Sequence, residues 1–418
     1  MHHDTWVQII SRESLGRRLS ALPGVPRVVA SGNFATPTTV LAALDAAVES
    51  YRLFVLNAQP GLPDRAGVQY ETCFVGPGMR DHPRLSYVPS RLSLAPSLFG
   101  RRLPPDVVVV HTCPPRAGAV SLGTEVNVLP AAIEAVRARG GLVVAALNPR
   151  MPYTYGDGQV ALDAVDYAVE VDEPLAGLPA NVPDEVSTVI GERVASLVGD
   201  GATLQMGIGA IPDAAVRGLV ARRGLRIWSE MFSDGVLALD AAGALDPASP
   251  VTASFVFGSE ELYAWVDGNP RVRLLRTEKT NHPALISANP LMTSVNSALE
   301  VDLYGQANAA RRANRIYSGF GGQTDFIVGA MHSDGGQAII ALRSWHPKAD
   351  CSTIVPMVDE PVTSFQHSAV VTEQGVAPIF GFTQEEQASA LIESAAHPRV
   401  REELREEGRA LGLLPAAR

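Results

Sequence analysis

Cysteine is scarce in this sequence: Cys73, Cys113 and Cys351 are the only thiols, widely spaced and without a Cys-x-x-Cys pair. Such spacing suggests neither a disulfide framework nor a cysteine zinc site, and it suits a reducing cytoplasm. Positive charge is also in deficit, with 34 Lys and Arg against 44 Asp and Glu and a formal net charge of −10. Nonspecific attraction to nucleic acid or anionic lipid needs a positive surface, so neither is an expected partner, and an anionic ligand requires a local basic pocket. No apolar run reaches the roughly 18 residues that span a bilayer. The opening Met1-His2-His3-Asp4-Thr5-Trp6 has no basic-then-apolar signal pattern, so a cytosolic protein is expected.

Other absences narrow the chemistry. There is no GxSxG elbow and no Walker lysine motif, which removes the usual serine-hydrolase and P-loop readings. Low-complexity tracts, heptad runs and short repeats are missing, which sets aside coiled coils and solenoids. His332, His346 and His367 stand far apart without paired acids at ligand spacing, so surface or core histidines are the preferred reading and no metal is expected.

What remains is an ordinary globular balance, 46% apolar and 19% charged, over 418 residues, more than one core usually serves. In the first half, short β-branched runs alternate with alanine-rich stretches. Arg27–Ala30 precedes a helical stretch over 38–48, and a strand over 106–110 precedes a helix over 131–138 and a strand over 142–146. This order predicts a doubly wound parallel sheet. Prolines and acids cluster over 172–184, the candidate junction, and a second strand, turn and helix series begins at Ala202. The expected domains are 1–178 and 179–418, with closing helices over 384–409.

Three segments carry candidate chemistry. In Leu204-Gln205-Met206-Gly207-Ile208-Gly209-Ala210-Ile211-Pro212 an apolar strand turns through two glycines into a helix, which suits close approach of a nucleotide-like anion to backbone amides. The same pattern also serves as a plain strand-to-helix turn. Pro212 stands where a dinucleotide fingerprint has its third glycine, which disfavours a nicotinamide dehydrogenase. Arg226-Ile227-Trp228-Ser229-Glu230-Met231-Phe232 sets one carboxylate at the end of an apolar strand, where it is either a nucleophile or a salt-bridged or capping glutamate. Glu260 and Glu261, after Ser259, are read instead as first-turn acids of a capped helix. Ser318-Gly319-Phe320-Gly321-Gly322-Gln323-Thr324-Asp325-Phe326 offers an oxyanion nest or merely a loop. Arg311, Arg312 and Arg315 form a basic cluster, read as a solvated face or a phosphate contact.

Taken together, Gln205–Pro212, Trp228–Met231, the segment Ser294-Val295-Asn296-Ser297-Ala298-Leu299-Glu300-Val301-Asp302, Ser318–Phe326 and Val370-Val371-Thr372-Glu373-Gln374-Gly375 resemble the acetyl-CoA hydrolase/transferase family, in its order and most closely its 4-hydroxybutyrate CoA-transferase branch. The first half joins this resemblance through Phe74–Pro77 and Leu147–Pro152, while Arg116 and Ala117 depart from the family's polar or acidic residues. The resemblance implies two tandem open α/β domains of the CoA-transferase type with largely parallel sheets, the second carrying the catalytic glutamate. By it Glu230 stands at the catalytic glutamate, Asn281 beside it, and Gly322 at the oxyanion-hole glycine. Gly207, Ile208, Gly209, Ala210, Ile211, Leu299, Ser318, Gly321 and Lys348 fall at coenzyme A positions, and Glu373 at an active-site glutamate of unassigned role.

The implied activity is transfer of coenzyme A between an acyl-CoA, acetyl-CoA by preference, and a short-chain carboxylate such as 4-hydroxybutyrate or butyrate. It would run ping-pong through a glutamyl-CoA thioester, without a metal. An acyl-CoA hydrolase is the near alternative and a noncatalytic CoA-binding protein the more distant one. Chain length and likeness suggest a homodimer or larger homo-oligomer.

Overall fold

The computed structural model describes residues 7–177 and 183–416, and the expected boundary between 178 and 179 therefore lies outside the described residues. The chain forms two compact units. The first contains the described residues up to 177 together with Val251–Thr280 and Ile316–Gly321; the second contains those from 183 to 250, Asn281–Arg315 and those from 322 onward.

The first unit is built on an eight-stranded sheet, from one edge to the other Gln8–Ile9, Tyr167–Glu170, Leu142–Leu147, Val107–Thr112, Arg27–Ala30, Tyr51–Phe54, Val68–Thr72 and Leu85–Tyr87. Every neighbouring pair is parallel, with Val29 beside Val108 and Val109 beside Val144. Strands covered on both faces read as continuous apolar runs, which is why Val107 to Val110 are all fully buried. The expected helices appear as Thr38–Ala47 and Leu129–Ala138.

Beyond the sheet's carboxyl ends a buried polar cluster ties three loops together. Glu125 accepts hydrogen bonds from Asn33 at 2.7 Å and Asn127 at 3.1 Å, and Asn57 donates to Asn33 at 2.9 Å. All three asparagines have left-handed backbones, with φ of 46°, 45° and 32° for Asn33, Asn57 and Asn127. That conformation is tolerated best by Asn among residues with a side chain, and here the side chain is also needed as donor and acceptor.

Six strands of the second unit pair side by side, in spatial order Val376–Pro378, Ala369–Val371, Gln337–Ala341, Met292–Asn296, Thr203–Met206 and Arg226–Trp228. All pairs are parallel except the antiparallel edge formed by Val376–Pro378. The chain starts this sheet at Thr203–Met206, adds Arg226–Trp228 on one side, then returns to add Met292–Asn296 on the other. Such a reversal of strand order opens a crevice at the carboxyl ends of the two strands that flank it. In the first unit, Ser259 caps Glu260–Val266, its side chain accepting from the Leu262 amide at 3.2 Å, so the acids there occupy a first helical turn. The closing helices are Gln384–Ala390, with a capping box between Thr383 and Glu386, and Arg401–Ala410.

Candidate active site

Glu230 follows the strand Arg226–Trp228 directly, in the break before Met231–Phe232, so its side chain leaves the sheet at a carboxyl end. The glutamate retains some solvent access as a residue, but protein packs closely around its carboxyl group. Burial pushes its pKa up to about 7. A hydrogen bond from Asn281 opposes that rise, the negative charge of Asp325 adds to it, and the Gly322 amide opposes it again. The Asn281 Nδ2 to Glu230 Oε2 distance is 3.3 Å.

Gly322 is the N-cap of the helix Gln323–His332 and has φ −91°, a value open to any residue. Space, not backbone freedom, demands glycine: a Cβ there would collide with Glu230 Oε2 and Asn281 Nδ2. The carboxylate therefore lies at the positive end of a ten-residue helix, with two donors converging on it. The second unit thus brings Glu230, Asn281 and Gly322 into one cluster.

The glycine turn lies in the same unit. Gly209 has φ 123° and serves as N-cap of Ala210–Leu219 without any side-chain cap. Apart from the chain neighbours, no atom of the described residues lies within 4 Å of where a Cβ of Gly207 or Gly209 would be, so at Gly207, whose φ is not positive, neither packing nor backbone explains the glycine. Both face a cavity of about 320 Å³ whose other walls include Val295, Asn296 and Arg343. This is the crevice at the reversal of strand order. Ile208 is 40% exposed, and Ala210 and Ile211 open the helix.

The remaining positions are more dispersed. Leu299 is exposed, its amide donating to the Asn308 carbonyl at 2.7 Å, and Lys348 lies exposed in the turn between Trp345–His346 and Cys351–Ser352. Ser318 and Gly321 belong to the first unit, where their carbonyls accept from Val75 at 2.6 Å and Leu92 at 3.1 Å. Glu373 accepts from the Ser344 amide at 2.9 Å, from the Ser344 hydroxyl and from Gln374 at 3.2 Å. Burial raises its pKa, but these bonds outweigh it and hold the carboxyl below its ordinary value. Its visible work is to fix the loop that carries Arg343.

Sequence reasoning did not single out Asp325, Asp184, Asn296 or Arg343. Asp325 and Asn296 lay inside quoted motifs, the first beside the glycine nest and the second in the segment over 294–302. Arg343 had no local signal, because its place at the crevice depends on which strand neighbours which.

Known proteins resemble this chain over most of its length. Residues 258–408 match the family model for the acetyl-CoA hydrolase/transferase C-terminal domain. The 4-hydroxybutyrate coenzyme A transferase of Clostridium kluyveri is 39% identical over 354 residues, 81% of this chain and 81% of that protein. A succinyl-CoA:acetate/propanoyl-CoA:succinate CoA transferase of Fasciola hepatica is 38% identical over 336 residues, 77% of this chain and 69% of that protein. Among solved structures, the 4-hydroxybutyrate CoA-transferase of Porphyromonas gingivalis superposes with a TM-score of 0.82 at 32% identity, covering 97% of this chain and 98% of that one. RipA from Yersinia pestis gives a TM-score of 0.88 at 26% identity, with the same coverages.

Proposed function

The chain belongs to the acetyl-CoA hydrolase/transferase family and is a CoA-transferase, and from that premise we propose that Glu230 is the nucleophile through which it passes coenzyme A from an acyl-CoA to a short-chain carboxylate. The observation that carries this reading is the desolvated Glu230 carboxylate with Asn281 and Gly322 donating to it. Removal from water makes a carboxylate more reactive toward a thioester carbon, and the two donors can follow charge as it moves onto oxygen.

In the first step Glu230 attacks the acyl carbonyl, the C–S bond breaks, and a mixed anhydride and CoA thiolate form. The thiolate then attacks the glutamyl carbonyl, releasing the first carboxylate and leaving CoA as a thioester on Glu230. An incoming carboxylate attacks that thioester and frees the thiolate, which takes the acyl group and restores Glu230. Each collapse passes through an oxyanion, and the Gly322 amide and the Asn281 side chain supply its donors. Acetyl-CoA is the donor and butyrate or 4-hydroxybutyrate the acceptor in this reading, supported by relatives named for those acids. Gly207 to Ile211, Leu299, Ser318, Gly321 and Lys348 are assigned to coenzyme A. No metal takes part. We place the enzyme in the cytoplasm as a homodimer or larger homo-oligomer, with the boundary in sequence between its two domains at 178/179. No helix among the described residues is long and apolar enough to cross a membrane.

Mass spectrometry after incubation with acetyl-CoA and then borohydride tests the scheme. A glutamate-to-alcohol reduction mapped to Glu230 is expected. Unmodified Glu230 in enzyme that is exchanging CoA overturns it, and thiol release without any new acyl-CoA identifies a hydrolase.

A further inference from the structure

Resting on that reading, the second unit's crevice suggests how the phosphorylated part of coenzyme A is held. We propose that Arg343 binds the diphosphate of coenzyme A in the cavity beside the glycine turn, where it acts together with the amides that open the helix Ala210–Leu219.

The cavity lies between the ends of Thr203–Met206 and Met292–Asn296, and among its described lining residues Arg343 carries the only charge. In a protein of formal net charge −10 a bound anion needs such a local cation. Opposite it, Gly207 and Gly209 leave the backbone uncovered, and Gly209 provides no side-chain cap to the helix that follows. Amides at that end are thus available to an anion, and the helix dipole favours one there.

Arg343 is held in place without being used up. Its Nη2 donates to Asp184 Oδ2 and, at 3.0 Å, to Ser187 Oγ, and its Nε and Nη1 have no protein partner among the described residues. A guanidinium has five N–H donors in a rigid plane, so fixing one end aims the rest. Asp184 is itself the N-cap of Glu185–Ser196, accepting from the Ser187 amide at 2.9 Å. The latch is therefore built from the protein's own groups. The hydrogens left on Nε and Nη1 point apart and can each donate singly to a different phosphate oxygen of the diphosphate, while pantetheine, which bears no phosphate, does not engage them.

Calorimetric titration of the whole protein with CoA and with pantetheine tests the assignment. Arg343→Ala should raise the Kd for CoA roughly 10- to 100-fold and leave pantetheine unchanged. Arg343→Lys should recover part of the loss. Asp184→Asn, which keeps a capping side chain, should weaken CoA less than Arg343→Ala. Equal weakening of CoA and pantetheine would reduce Arg343 to a structural role and overturn the proposal, as would an unchanged Kd for CoA. The functional reading is judged separately, by CoA exchange in the wild type: exchange with no CoA/pantetheine split in Arg343→Ala sinks only this assignment, whereas tight CoA binding with no exchange sinks that reading.

Discussion

Asn281 donates from Nδ2 to Glu230 Oε2 at 3.3 Å, and this hydrogen bond restrains the rise of that carboxyl's pKa. One side chain thus aims the proposed nucleophile and holds back part of the rise in its pKa that burial causes. Since the attacking form is the carboxylate, kcat/KM should climb as pH rises through about 7 and level off above it. Asn281→Ala should move that limb to higher pH and lower the plateau by roughly a hundred- to a thousandfold. A limb that stays in place would contradict the role given to Asn281.

Gly322→Ala separates chemistry from folding. The backbone at φ −91° accepts alanine, but the methyl group would occupy the space of Glu230 Oε2 and Asn281 Nδ2. Exchange should drop by at least about a hundredfold, the scale of a lost oxyanion donor, while circular dichroism stays native. Retained turnover would show that the cluster tolerates what its geometry forbids.

Glu230 should also cost the fold stability at neutral pH. Its folded pKa of about 7 lies above the ordinary 4.5, so the native state binds the proton more tightly than the unfolded chain. Its contribution is fully present below about pH 4.5 and is lost as pH rises through about 7. Glu230→Gln should therefore be more resistant to urea than wild type at pH 8, by on the order of 1–3 kcal/mol, and should gain nothing at pH 4.5. Equal stability at both pH values would argue against a desolvated carboxyl.

His367 gives the opposite pH signature. It is fully buried, neither ring nitrogen has a hydrogen-bond partner among the described residues, and burial lowers its pKa to about 4 from 6.5. Between those values the unfolded chain binds a proton that the native state refuses, so stability falls as pH drops through that window. His367→Leu should match or exceed wild type at pH 7 and lose less stability on acidification to pH 5, as read by urea denaturation. A steeper acid loss in the variant would refute this.

In the first unit, Arg27 and Glu71 form a buried bidentate pair, at 2.6 and 3.1 Å. Glu71→Ala alone should destabilise by roughly 3–5 kcal/mol, because the arginine is left buried without its partner. The double variant Arg27→Met with Glu71→Leu should recover most of that loss. A double variant as unstable as the single would show that the pair itself, and not the orphaned charge, supplies the stability.

Much of this architecture was readable because it is written locally. The valines at 107–110 mark a strand covered on both faces, Pro212 just after Gly209 marks a helix start, and Glu230 stands out as a lone acid in an apolar strand. The Ser259 cap followed from its spacing to the acids alone. By contrast, Glu373 was visible as a motif but not as a support for Ser344, since that contact joins two loops that only parallel strand pairing brings together.

The order of residues by itself determined which segments become strands, where glycines free the backbone, and which carboxylate stands at a strand end, because each depends on neighbours within a few positions. Tertiary structure decided the rest. Placing Met292–Asn296 beside Thr203–Met206 opened the crevice, brought Arg343 and Asp184 to it from distant parts of the chain, and closed Asn281 and Gly322 on Glu230. Strand order and burial, which set those distances and that carboxyl's affinity for a proton, are properties of the whole packed sheet.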